Sequence, residues 1–377
     1  MGGLRILQLY PKSDYFTGAA IQLRELAHGL RQRGHDVVVA TRPGETWAEK
    51  ARQLGLTHYA VPMASQVDVR SAGQLARIVR RHDIQIVHAH KGRARTLALL
   101  AGLFARIPVL VLNRGVSFPL DPLNRLGYTT RRVTAIVAVC ESIKRGLVAS
   151  GVPAEKIEVI YSGTDTERFH PGVDGRPVRA ELGLAPDDFL ITQIGVRSWR
   201  GNTDVIEAMA RVTAQAPRAR LLIVGARNPA TLHERAEASG IRPLVHVLGY
   251  REDIPEILRA SDCCVDASWA GLGLTGALRE ALAVETPVVA SDLAGNPELV
   301  RDGVTGLLFP PRDIAALADA ILCLAADRER ARAMGRAGRE LVVDLFSTRV
   351  KVERTEALYR RLLDAKTGAG LSPLPEP

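Results

Sequence analysis

GLGLTGALREALAVETPVVA, residues 271–290, sets glycines 271, 273 and 276 ahead of a short helical stretch and closes on a proline-led β-branched run. The apolar run CCVDAS (263–268) precedes it and the loop DLAGNPE (292–298) follows. Strand, glycine turn, helix and strand in that order make one βα unit of a parallel sheet. Glycines here let a ligand approach the backbone, and the helix start offers unpaired N–H groups and a positive dipole end, which suits a phosphate. Glu280 lies one turn inside that helix, where its two oxygens can accept the neighbouring hydroxyls of a ribose. An ordinary exposed helix glutamate paired with Arg279 gives the same local pattern.

The alternation runs through the whole chain. Strand-like runs fall at 4–10, 35–41, 84–90, 108–113, 135–140 and 157–163, and a second series at 189–196, 220–225, 245–250, 263–268, 287–291 and 306–310. Amphipathic stretches lie between them, notably residues 19–34, whose Ile21, Leu23, Leu26, Ala27 and Leu30 form one stripe ended by Gly34. Residues 163–188 break into Gly, Pro and Asp and are read as an interdomain linker. The fold class expected is α/β, with two Rossmann-like, doubly wound parallel-sheet domains facing across a cleft at the carboxyl ends of their strands. The expected division is residues 1–170, residues 171–350, and a last helix within 351–377 packing back towards the first domain, with a frayed tail.

A length of 377 residues, 46% hydrophobic and 24% charged, fits two soluble domains. Cys140, Cys263, Cys264 and Cys323 have no CxxC spacing and are read as reduced core residues. The opening MGGLRILQLY reads as a strand rather than a signal peptide, and residues 96–112 are too short and too interrupted to span a membrane. The expectation is a cytoplasmic protein. Net charge is +9, unevenly spread: residues 1–170 carry 24 Lys/Arg and 13 Asp/Glu, or +11, and residues 171–377 carry 26 and 28, or −2. A basic first half points to an acidic partner, an anionic membrane surface or a phosphorylated substrate. With aromatics at 5% and none interleaving the arginines, no nucleic-acid partner is expected.

IGVRSWRGNTDVIEA (194–208) ends a strand, turns with Arg197 and Arg200, and starts a helix. Two guanidiniums there form a fork for a diphosphate and stabilise it as a leaving group without a metal. No DxD pair occurs, so a metal-chelating site has no obvious ligands. His88 and His90 alternate on one strand face without an evident third ligand; His90, at the strand end, is a candidate to touch sugar or acceptor, and a satisfied structural histidine fits equally. Arg93, Arg95, Arg114 and the pair Arg131/Arg132 are candidates for an anionic-acceptor surface.

Residues 268–313, SWAGLGLTGALREALAVETPVVASDLAGNPELVRDGVTGLLFPPRD, resemble the signature of the family 4 retaining glycosyltransferases, which have the two-domain GT-B architecture. TGAAIQLRELAHGLRQRGHDVVV (17–39), DIQIVHAH (83–90) and VAVCESIKRGLVASGVPAEKIEVIYSGTDTERFHP (137–171) resemble its first glycine loop, its strand ending in His and its interdomain segment. The resemblance implies that Glu280 binds the nucleotide ribose, that Arg197 and Arg200 clamp the diphosphate, and that Gly18 approaches the phosphate. Gly273, Leu274 and Thr275 complete the donor-binding turn, and Tyr250 lies near the base. With the readings from position and charge, the residues expected to be catalytic are Arg197, Arg200 and His90, those expected to bind the acceptor are Arg114 and Arg93, and no metal is expected. Four positions depart from the family pattern: Leu272 replaces a glutamate that touches the sugar, Arg200 replaces Lys, Ala19 a glycine and Arg114 a His. The implied reaction is retaining, metal-independent sugar transfer from a nucleotide diphosphate sugar to a saccharide or glycolipid precursor of a bacterial envelope. The enzyme is then cytoplasmic, with peripheral contact to the anionic inner membrane face. A catalytically lapsed nucleotide-sugar-binding or scaffold protein and, more remotely, a nucleotide-sugar epimerase are the alternatives.

Overall fold

The structure, a computed structural model, describes residues 2–15, 17–271 and 273–367. Two compact units emerge: Met1–Gly115, Pro119–Gly163 and Thr348–Pro377 in one, Val116–Phe118 and Thr164–Ser347 in the other. The chain therefore changes unit at Gly163/Thr164, a few residues before the expected division, and returns at Ser347/Thr348. The stretch read as a linker is mostly built into the second unit. Its helix Arg176–Glu181 packs where a Cβ on Gly175 would collide with the backbone of Ala260, and Arg179 donates to the carbonyls of Ala260, Ala185 and Asp188.

The first unit holds a seven-stranded parallel sheet of β1 (Arg5–Tyr10), β2 (Asp36–Thr41), β3 (Thr57–Ala60), β4 (Ile86–His90), β5 (Val109–Arg114), β6 (Ala135–Ala138) and β7 (Ile157–Val159), in the order β3-β2-β1-β4-β5-β6-β7. Period-2 alternation sends Leu7 and Leu9 of β1 to one face, and Ile6, Gln8 and Tyr10 to the other. Helix Gly18–Gln32 covers the second face with Ala20, Leu23, Leu26, Ala27 and Leu30. Ala20, rather than the expected Ile21, completes the buried stripe, because the helix begins at Gly18 and turns Ile21 to its flank. Gly34, at φ +84°, follows this helix in the left-handed region, which a glycine adopts without strain. Helix Thr348–Thr367 lies on the same face: Val352 packs where Gly29 has no side chain, and Val352, Leu358 and Tyr359 join that core. Residues 368–377, most of the expected frayed tail, lie outside the described residues.

The second unit holds six parallel strands: β8 (Phe189–Ile194), β9 (Ala219–Val224), β10 (Val245–Leu248), β11 (Cys263–Asp266), β12 (Val288–Ser291) and β13 (Gly306–Phe309). Their order is β10-β9-β8-β11-β12-β13. Apart from the short edge strand β3, every strand falls on a run read from the sequence. Cys140, Cys263 and Cys264 are buried as expected; Cys323 is exposed, because it faces outward from helix Ile314–Ala326 while Leu317, Ile321 and Leu324 face the core. No helix among the described residues is long and apolar enough to cross a membrane.

Candidate active site

In the second sheet β8 pairs with β9 on one side and β11 on the other, so chain order reverses between β8 and β11. The carboxyl end of such a reversal is where open α/β sheets bind ligands. Both motifs singled out from the sequence lie at this point: the β8 turn with Arg197 and Arg200, and the loop after β11 with its glycines.

The β8 turn is shaped from within. Gln193 donates to the Arg200 carbonyl at 2.8 Å, and Asn202, buried, donates to Gln193 Oε1 at 2.8 Å and to the Gly195 carbonyl at 3.2 Å. Gly195 and Gly201 sit at φ +93° and +63°, and a Cβ on Gly201 would collide with the carbonyl oxygen of Ala267. The turn thus rests on the loop after β11, to which the Trp269 amide also bonds it through the Trp199 carbonyl at 2.9 Å. That loop is braced in turn from β12: Gly295 N donates to the Gly273 carbonyl at 3.1 Å, Thr275 Oγ1 to Asn296 Oδ1 at 2.9 Å, and Asn296 Nδ2 to the Ser291 carbonyl at 3.1 Å. Arg279, almost wholly buried, donates to the Leu274 carbonyl and to Thr164 Oγ1, both at 3.2 Å. It is thereby a buried brace for the loop within a polar network.

Helix Gly276–Ala283 starts on Thr275, whose hydroxyl is turned to Asn296 and does not cap it, so the first-turn N–H groups keep no side-chain acceptor there. Glu280 Oε1 comes within 3.8 Å of where a Gly276 Cβ would stand, which places the carboxylate beside the helix start. Arg197 is exposed and donates to the carbonyl of Val196. Arg200 differs from the expected open fork: its Nη1 lies 2.5 Å from Oδ2 of Asp266, the last residue of β11, whose side chain is 3% exposed. Half the expected clamp charge is already compensated. The same cluster surrounds the Cys264 thiol, which is pushed up by burial above all, then by the charges of Cys263, Asp266 and Glu280, while Arg200 opposes them. Tyr250 stands exposed beyond β10 at the same end of the sheet, where Gly225 N bonds to the carbonyls of Leu248 and Gly249. Leu272, the departure of most consequence for sugar recognition, lies outside the described residues. A separate cavity of about 370 Å³, lined by Arg179, Arg259, Asp262 and Arg328, opens at the amino ends of β8 and β11 and is not this site.

Residues 16–168 match the family described as Glycosyltransferase Family 4, and residues 190–327 match Glycosyl transferases group 1. The GDP-mannose-dependent alpha-(1-6)-phosphatidylinositol monomannoside mannosyltransferase of Mycobacterium tuberculosis is 32% identical over 298 residues, 73% of this chain and 74% of that one. The chain belongs to the family 4 glycosyltransferases. The N-acetyl-alpha-D-glucosaminyl L-malate synthase of Bacillus anthracis is 26% identical over 93% of this chain and 96% of its own length. Anabaena Alr3699/HepE in complex with UDP shares the fold at a TM-score of 0.84 and 22% identity, over 95% of this chain and 100% of that one. The architecture is that of the GT-B glycosyltransferases.

In the first unit of this glycosyltransferase the order reverses between β1 and β4. His90 ends β4 there but is 6% exposed, and its Nε2 lies 2.7 Å from Gln8 Oε1. Gln8 Nε2 donates to the Tyr359 hydroxyl at 3.2 Å, which lies 2.6 Å from His88 Nδ1. Followed in order, the Tyr359 proton goes to His88 and His90 Nε2 carries its own, so that His90 is a buried neutral link in a chain of hydrogen bonds. The two imidazoles stack at 4.4 Å, and burial holds both far below the usual histidine range, His88 to about 3. This hydrogen-bond chain was not legible from local pattern, because Tyr359 is 271 residues from His88.

Gly18 opens the helix into free space: a Cβ there would meet nothing within 4 Å, so a glycine is not demanded by the fold. Arg93 and Arg114 lie at the carboxyl ends of β4 and β5, Arg93 donating to the Met63 carbonyl at 3.0 Å and Arg114 lying 5.9 Å over the Tyr128 ring. Arg95 does not join them. It is buried against Tyr128 and Asn124. Arg131 and Arg132 precede β6 and so belong to the opposite end of the sheet, with Arg132 reaching the Leu99 carbonyl.

Proposed function

We propose that the protein is a retaining, metal-independent glycosyltransferase that moves a sugar from a nucleotide diphosphate sugar to a saccharide or glycolipid precursor of a bacterial envelope. The observation that carries this is the meeting of the β8 turn, the glycine turn and Glu280 at the switch point of one sheet. Arg197 and Arg200 meet the diphosphate, Gly273, Leu274 and Thr275 lay the uncapped helix start against it, Glu280 accepts the ribose hydroxyls and Tyr250 lies at the base. The bond from the anomeric carbon to the diphosphate breaks, the acceptor oxygen bonds to that carbon on the same face, and its proton passes to the departing diphosphate. No side-chain base is needed, so the neutral, buried His90 is no obstacle. The arginines stabilise the growing charge, each by about 2 to 4 kcal/mol. The basic first unit, with Arg93 and Arg114 at one end, takes the acceptor and gives peripheral attraction to an anionic membrane face, while its Gly18 serves the donor phosphate.

Release of free nucleoside diphosphate from a panel of donors, with and without acceptor extracts, tests this: Arg197→Ala and Glu280→Ala are expected to abolish release, and release indifferent to both rejects the assignment. One observation favours the second reading, a lapsed nucleotide-sugar-binding protein: Asp266 already neutralises Arg200. That reading gives diphosphate binding with no release under any donor and acceptor.

A further inference from the structure

The loops after β1 and β4 bring together two lysines that the reading above leaves unused. Lys12 stands two residues beyond β1 and Lys91 directly follows β4, at the switch point of the first sheet. Tyr10 joins them. Lys91 Nζ lies 5.4 Å from its ring centre, its hydroxyl donates to Asp14 Oδ1 at 2.6 Å, and Asp14 Oδ2 lies 3.5 Å from Lys12 Nζ. Asp14 Oδ1 also accepts from Thr17 Oγ1 at 2.8 Å. Two ammonium groups thus share one carboxylate that two hydroxyls already occupy. Lys91 is only half exposed, and burial first, then the charge of Lys12, hold it below the usual lysine range.

The backbone adds to the same charge. Helices Gly18–Gln32 and Gly92–Phe104 both start here, and neither has a side-chain cap or an acidic residue in its first turn, so two positive dipole ends face the lysines. A Cβ on Gly18 or Gly92 would meet nothing within 4 Å, which leaves room in front of both first turns. Lys91 holds φ +78°, a conformation that a residue with a side chain keeps only where its surroundings impose it.

We propose that Lys12 and Lys91 bind an anionic group, phosphate or carboxylate, carried by the acceptor, which makes the acceptor an acidic molecule. This rests on the reading of the first unit as the acceptor-binding one. A diphosphate has the same chemistry, so the test separates the two sources. Inorganic phosphate and a panel of nucleoside diphosphates are titrated calorimetrically into the full chain, into the Lys12→Ala, Lys91→Gln double variant and into Lys91→Arg. The expected result is phosphate binding weakened at least about tenfold in the double variant, largely kept in Lys91→Arg, with diphosphate affinity unchanged. Glutamine keeps the strained backbone, so relief of strain does not enter. If the double variant fails to fold, Lys12→Ala alone, at a half-exposed side chain, serves with at least about a threefold loss. Phosphate that does not bind the wild type, binds the variants equally, or is lost together with the diphosphate overturns the proposal. Diphosphate affinity untouched by Glu280→Gln instead sinks the donor assignment and leaves the lysine site standing.

Discussion

Arg200 and Asp266 close an ion pair across the switch point of the second sheet, 2.5 Å between nitrogen and oxygen, with the carboxylate buried at the end of β11. Removing one partner leaves the other uncompensated, which costs several kcal/mol deep in a protein and less here because Arg200 is partly exposed. Asp266→Ala is expected to lower the unfolding free energy by about 1 to 3 kcal/mol, read as a lower urea midpoint at unchanged slope. A midpoint equal to that of the wild type speaks against the pair.

Gly201 and Gly18 are predicted to respond in opposite ways to the same methyl group. Gly201→Ala meets both a left-handed backbone and the Ala267 carbonyl, so it should destabilise by at least about 2 kcal/mol and displace the turn that carries Arg200. Gly18→Ala has open space and should stay within about 0.5 kcal/mol of the wild type. Thermal unfolding of the two variants decides, and equal shifts would falsify the distinction.

Asn296 is buried and serves both Thr275 and Ser291, so Asn296→Ala strands at least one buried polar partner. The expected loss is about 1 to 3 kcal/mol, with nucleoside diphosphate binding weakened because the glycine turn loses its brace. Hydrogen exchange of the Gly273–Gly276 amides should rise in the variant. Unchanged protection there counts against the bracing role.

His88 and His90 make stability depend on pH in a defined direction. Both have folded pKa values below the unfolded value of about 6.5, so the unfolded chain takes up protons first and stability falls as pH drops below that value, for His88 down to about 3. At pH 5.5 each is expected to have lost roughly 1 kcal/mol relative to pH 7.5. Denaturant midpoints at several pH values for the wild type and His88→Gln check this. Identical pH slopes for the two proteins would remove His88 from the explanation.

The parallel strands were legible because their runs are apolar and β-branched between glycine and proline breaks, as in VHVLGY and PVVAS. β3 was not, since THYA is short, half-exposed and lies at the sheet edge, where burial imposes little pattern. The glycine turn and both arginines announced themselves by sitting directly after strands. Asp266 did not: within CCVDAS it reads as one more strand residue, and only pairing with Arg200 gives it a part. Cys323 reads as a core residue because its neighbours are apolar, yet its place on the helix turns it outward.

What the sequence by itself determined is the alternation of strand and helix, and with it the βα units, since hydrophobic period and glycine placement act over a few residues. What only the tertiary structure decided is which charged and polar side chains are left to act. Arg200 met a buried carboxylate, Arg279 and Arg95 went inside as braces, and His90 was drawn into a chain that runs through Gln8 and Tyr359 to His88. Such partners lie tens to hundreds of residues apart, and desolvation fixes them only when the sheet has formed and water has left.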